Sequence, residues 1–161
     1  MKKSIVIIAI LTVSLAFAGC GSTVEQFSLE PFASNVTLKT DGLEIKGTVE
    51  YTSATEMSLI VLTPENIAGI KIETLGGEIK MYCRDMEFTT ASLEKLTKGN
   101  DVFGNLFEAL GSLGNGTFEI DTQKKNNIKG DYAFGAYSAV IDGGTKRIAS
   151  LDAGGKLYIF S

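Results

Sequence analysis

Leu43-Glu44-Ile45-Lys46-Gly47-Thr48-Val49-Glu50-Tyr51-Thr52 alternates apolar or small residues with polar ones over ten positions. Successive side chains of a strand point to opposite faces, so one face here is apolar and the other charged. A strand dry on one side and wet on the other belongs to an antiparallel sheet. Upstream, Val36 and Leu38 alternate with Thr37 and Lys39, and Asp41-Gly42 between the two runs is a hairpin signal.

The same grammar extends outward. Met57 to Leu62 is a nearly continuous apolar run, broken by Pro64-Glu65-Asn66. Ile70 and Ile72 alternate with Lys71 and Glu73. Gly76-Gly77 turns the chain into Ile79, Met81 and Cys83, which alternate with Lys80, Tyr82 and Arg84. The period then changes. Thr90 can cap a helix from about Ala91 to Lys98, and after Gly99-Asn100, Asp101 can cap a second. There Val102, Phe103, Leu106, Phe107, Leu110 and Leu113 follow helical spacing, and Gly111 and Gly114 mark the end. Strands resume at Phe118–Asp121. Lys124–Asn127 reads as a turn, residues 128–141 as one glycine-interrupted strand, and 146–152 and Leu157–Phe160 as the last two. Strands, a helical insert at about 90–113, then strands again predict an α+β domain over 34–161 with eight or nine strands.

The N-terminus carries a different signal. Met1-Lys2-Lys3 precedes an apolar run from Ile5 to Ala18, and Gly19-Cys20 follows. Basic, apolar and small-residue regions in that order predict a signal peptide over residues 1–19. The run is short for a spanning helix, which needs about 20 apolar residues. A cysteine directly after Ala-Gly predicts a lipoprotein, with Cys20 lipidated and a tether over 20–33 leading to the domain. Phe17 departs from that pattern, which favours Leu there. Two or three acyl chains on Cys20 would anchor the chain stably, since each buried methylene adds about 0.8 kcal/mol.

Removing residues 1–19 with their two lysines leaves 142 residues, with 13 basic against 19 acidic groups and a net charge of −6. That length supports one domain with its own core. The acidic balance argues against nucleic acid, whose binding rests on Lys and Arg at phosphates. The sequence contains no His, which excludes Ser-His-Asp and Cys-His nucleophiles and removes the commonest nitrogen ligand of zinc. No cofactor and no metal site is expected. Acylation of Cys20 would leave Cys83 without a disulfide partner, so Cys83 is expected to pack as a small hydrophobe. Asp121, Asp131, Asp142 and Asp152 do not have the spacing of an EF-hand loop and stand largely beside turns. Asn35-Val36-Thr37 and Asn115-Gly116-Thr117 match the glycosylation sequon, for which a bacterial lipoprotein has little use.

A lipoprotein signal, a meander of antiparallel strands, a Pro-x-x-x-x-Gly-Ile link from Pro64 to Ile70, a helical segment and an apolar C-terminal strand together resemble the LolA/LolB-like lipoprotein carrier superfamily. The resemblance covers most of residues 27–161 and is architectural. It implies a strongly curved antiparallel sheet forming an incomplete barrel, a helical plug on its concave side, and an apolar cavity that holds acyl chains. The expectation is a non-enzymatic, membrane-anchored lipoprotein on the outer face of the cytoplasmic membrane or in the periplasm, binding a lipid or other apolar ligand. Alternation nominates Val49, Tyr51, Leu59, Val61, Ile72 and Met81 as walls. Phe103, Leu106 and Phe107 would form a lid eased by Gly99, Gly104 and Gly111, or would simply pack as core. The alternative is a structural or protein-interaction module with a filled core, recruiting partners at sheet edges. A carboxylate hydrolase is a third and weaker reading.

Overall fold

The computed structural model describes residues 23–40, 42–76, 78–90 and 102–161. The expected signal peptide, Cys20, Asp41, Gly77 and the helix at about 91–98, with Gly99, Asn100 and Asp101, lie outside these residues.

Among the described residues twelve strands, one α-helix and a short 3-10 turn (Glu65–Ile67) form an α+β fold: β1 (Val24–Phe27), β2 (Phe32–Thr40), β3 (Leu43–Ser53), β4 (Glu56–Thr63), β5 (Lys71–Leu75), β6 (Glu78–Cys83), β7 (Met86–Thr90), α1 (Val102–Gly114), β8 (Phe118–Asp121), β9 (Lys125–Tyr132), β10 (Gly135–Asp142), β11 (Arg147–Ala153) and β12 (Lys156–Phe160). Ten strands make one antiparallel sheet in the order β7-β6-β5-β4-β3-β2-β12-β11-β10-β9. Its two ends, β7 and β9, do not pair, so the sheet is not closed into a barrel. β1 and β8 form a separate antiparallel pair.

Alternation works as expected at the centre of the sheet. Ile45, Val49 and Tyr51 of β3, Met57, Leu59 and Val61 of β4, and Ile72 of β5 all point into the core. Their neighbours Lys46, Glu50 and Thr52 are exposed. Thr40 pairs with Leu43 across a hairpin whose Gly42 has φ +77°, the backbone that the turn demands. Gly154 and Gly155, at φ +60° and +71°, do the same between β11 and β12.

The strand count exceeds the sequence reading for three reasons. Val24–Phe27, assigned to the tether, buries only Phe27, so no alternation betrays it; it is held by pairing with β8. Met86–Thr90 is an edge strand with Met86 and Phe88 exposed, and it continues the meander where a helix cap was expected. Residues 128–141 are two strands, because the chain reverses at Ala133-Phe134; Gly135, read from sequence with Gly130 as a bulge or bend, closes this hairpin opposite Tyr132 with φ +146°. Gly130 is no bend: a Cβ there would stand 2.6 Å from the Tyr137 hydroxyl, so its absence makes room for that ring.

The sheet curls around α1. β6 and β9 are eight places apart in it, or roughly 38 Å if it were flat. Yet Ile79 of β6 and Tyr132 of β9 line the same cleft. The buried core runs from Phe27 to Phe160, so residues 23–161 carry a self-sufficient hydrophobic unit.

Candidate functional site

The helix sits in the concavity and is buried on most sides: Gly104, Asn105, Leu106, Phe107, Ala109, Leu110, Gly111 and Leu113 are all inaccessible. Side-chain bonds fix it along its length. The Tyr158 hydroxyl of β12 donates to the Val102 carbonyl at 2.6 Å. Tyr132 of β9 donates to Asn105 Oδ1 at 2.6 Å, and Ser112 Oγ donates to the Asp131 carbonyl at 2.7 Å. Two glycines allow close approach to the sheet. A Cβ on Gly111 would lie 2.9 Å from the Ala54 carbonyl oxygen, and one on Gly114 would overlap the Tyr51 hydroxyl. Gly111 is thereby accounted for by packing.

The helix fills the concavity unequally. Toward its N-terminus, Phe103 and Leu106 meet Leu59, Val61 and Tyr158 around a gap of only ≈ 10 Å³, about the least that admits a water. Toward its C-terminus an open cleft of ≈ 650 Å³ remains. The helix contributes Phe107, Glu108, Gly111, Ser112 and, just beyond it, Asn115. Glu108, Ser112 and Asn115 are spaced i, i+4, i+7, so they form one stripe. The facing walls are Met57, Thr74 and Ile79 of the sheet, Ala54 and Thr55 of the β3–β4 turn, and Tyr132, Ala133 and Phe134 of the β9–β10 turn. The Tyr132 and Phe134 rings meet edge to face at 6.1 Å.

The electrostatics are simple. Glu108 is the one charged residue among the described residues of the cleft wall. Burial pushes its carboxyl above the usual carboxylate range, and no neighbouring charge contributes. Burial likewise raises the Tyr132 phenol, helped by the Asp152 carboxylate. The Tyr132 hydroxyl supplies one of the interactions of the deeply buried Asn105. Tyr132→Phe should lower unfolding stability by about 0.5–1.5 kcal/mol in urea titrations. A loss below about 0.5 kcal/mol would show that this bond does not position the helix.

Of the residues nominated from sequence, Val49, Tyr51, Leu59, Val61, Ile72, Leu106 and Phe107 are buried, and Met81 and Phe103 are partly buried against the core. Leu59, Val61, Phe103 and Leu106 border the small gap, and Phe107 borders the cleft. Val49, Tyr51, Ile72 and Met81 lie on the same inward face outside the cleft lining. The sequence reading did not single out the polar stripe, although its helical spacing was visible. Tyr132 and Phe134 are hidden in a run that reads as one glycine-interrupted strand. Cys83 is a half-buried free thiol opposite Met86, at the margin of the core. Asp121 and Asp142 serve turns: Asp121 Oδ1 accepts from the Gln123 amide at 2.9 Å and Asp142 Oδ1 from the Thr145 amide at 2.8 Å, which holds both carboxyls low. Among the described residues no group of three His, Cys, Asp or Glu is placed to hold a metal, and no helix is long and apolar enough to cross a membrane.

No protein-family model matches the chain, and no curated protein matches it in sequence. Among solved structures, an uncharacterized conserved protein from Thermus thermophilus superposes with a TM-score of 0.45 at 12% identity, over 81% of this chain and 76% of that one. A LolA superfamily protein from Nitrosomonas europaea gives a TM-score of 0.39 at 11% identity, over 79% of this chain and 65% of that one. Likenesses this distant fix neither ancestry nor activity.

Proposed function

We propose that the chain is a non-enzymatic lipoprotein, anchored through Cys20 outside the cytoplasm, that holds a lipid or other amphiphilic ligand in the open half of its concavity. A LolA-like carrier architecture belongs to this reading. The observation that carries it is the cleft of ≈ 650 Å³ between α1 and the curled sheet, a volume typical of ligand sites, which span about 300–1,000 Å³. A filled core, as the interaction-module alternative requires, would leave no such space. The lining tempers the ligand's nature. Ala54, Ala133 and Phe134 offer apolar contact, while Thr55, Ser112 and Asn115 offer hydrogen bonds. Burial of an apolar segment would drive uptake, and the polar groups would orient the ligand.

The binding test uses residues 21–161 produced without lipid. Co-purifying lipid on organic extraction, or saturable binding of a neutral apolar fluorophore such as Nile red, is the expected result. A clean protein that binds no such probe would overturn the ligand reading. Anchoring is tested separately by Cys20→Ser in the full chain. The variant is expected to leave the membrane fraction and to lose acyl-chain labelling; unchanged fractionation and processing would overturn the lipoprotein assignment.

A further inference from the structure

Among the described residues the cleft is lined by a single carboxylate and no cation. Glu108 has no hydrogen-bond or ion-pair partner among the described residues, and neither Lys nor Arg lines the walls. Two partly exposed aromatic rings line the same cleft, Tyr132 and Phe134 on the β9–β10 turn. Surfaces of aromatic rings attract cations, more so where water is scarce. A carboxylate half removed from water and left without a partner is costly to keep charged, and an incoming positive charge relieves that cost. An anionic headgroup would meet the opposite: repulsion from Glu108, with no basic residue among the described lining to compensate.

We propose that the cleft selects single-chain amphiphiles whose headgroup carries a positively charged nitrogen, seated against Glu108 and the rings of Tyr132 and Phe134. The apolar chain would lie along Ala54, Ala133 and Phe134, on the accessible walls of the same cleft. This rests on the cleft being a ligand site, and it adds the charge of the ligand.

The test compares dodecyltrimethylammonium, dodecyl maltoside and dodecyl sulfate below their micelle concentrations, by calorimetry on residues 21–161. The ammonium amphiphile is expected to bind about tenfold more tightly than the neutral one, and the sulfate most weakly. Glu108→Gln should bring ammonium and neutral amphiphiles within about twofold of each other. Glu119→Gln, the same charge change at an exposed position of β8, should leave the preference unaltered. Equal binding of all three by the parent protein overturns the charge proposal and leaves the ligand site standing. No binding of any of them removes the site itself. A preference that Glu108→Gln and Glu119→Gln reduce alike belongs to the net acidic surface and overturns the assignment to Glu108. Tetramethylammonium, which lacks the chain, should bind at least about tenfold more weakly; equal affinity would assign the site to small free cations instead.

Discussion

Leu110→Ala is expected to cost about 2–5 kcal/mol of unfolding free energy. Leu110 is fully inaccessible on the face of α1 that meets the sheet. The cost has two parts: the lost transfer of the apolar side chain from water and the cavity it leaves. The second part depends on whether the surroundings can collapse, and here they are held. Tyr158, Tyr132 and the Ser112–Asp131 bond tie the helix to β12 and β9 along its length. The ladder beneath it is continuous over ten strands. A helix pinned in this way cannot sink into the void, so the loss should fall in the upper part of the range. With an m-value of about 2 kcal/mol/M, the urea midpoint would drop by about 1–2.5 M, a large share of the 5–15 kcal/mol of a typical domain. Leu157→Ala is the contrast. Leu157 is 38% exposed on the opposite face of β12, and the change should stay within about 0.5 kcal/mol. If Leu110→Ala costs less than about 1 kcal/mol, the helix is not the packed centre of the concavity.

What the sequence makes legible follows from where burial is one-sided. β3 is wet on one face and dry on the other, so its alternation is complete and its neighbours follow. The helix reads equally well, since Leu106, Leu110 and Leu113 keep helical spacing toward the core. Edge elements do not read. β1 and β7 gain order from a neighbouring strand instead of from burying a face, and pairing leaves no mark on composition. The reversal centres on Ala133-Phe134, with Gly135 closing it, and a single glycine reads equally well as a bulge within one strand, so β9 and β10 merge into one run. The cleft is obscured for a related reason. Its walls come from α1, β4 to β6 and the β9–β10 turn, elements brought together only by the curl of the sheet. Alternation identifies the inward face but cannot say how far the helix covers it. The residues nominated from sequence therefore fall on the correct face, while the open half is decided by where α1 stops.

Ala133→Trp is expected to weaken binding of Nile red or of the dodecyl amphiphiles more than tenfold. Ala133 lies at the tip of the β9–β10 turn, is exposed, and lines the cleft. An indole there would occupy space that a ligand needs, beside Phe134 and across from the Glu108–Ser112 stripe of the helix. Overfilling a packed site costs about 1–3 kcal/mol, and 1.4 kcal/mol is already a factor of ten in affinity. Stability should barely move, within about 0.5 kcal/mol, because the position is solvated and carries no core contact to lose. The two readouts together separate a blocked site from a damaged fold. Leu157→Trp, an equally large ring on the far face of the sheet, should leave both binding and stability as they were. Should Ala133→Trp and Leu157→Trp bind the probe equally well, the ligand enters elsewhere on the chain. Should both lose it, the probe adheres to the sheet's outer face and the concavity plays no part.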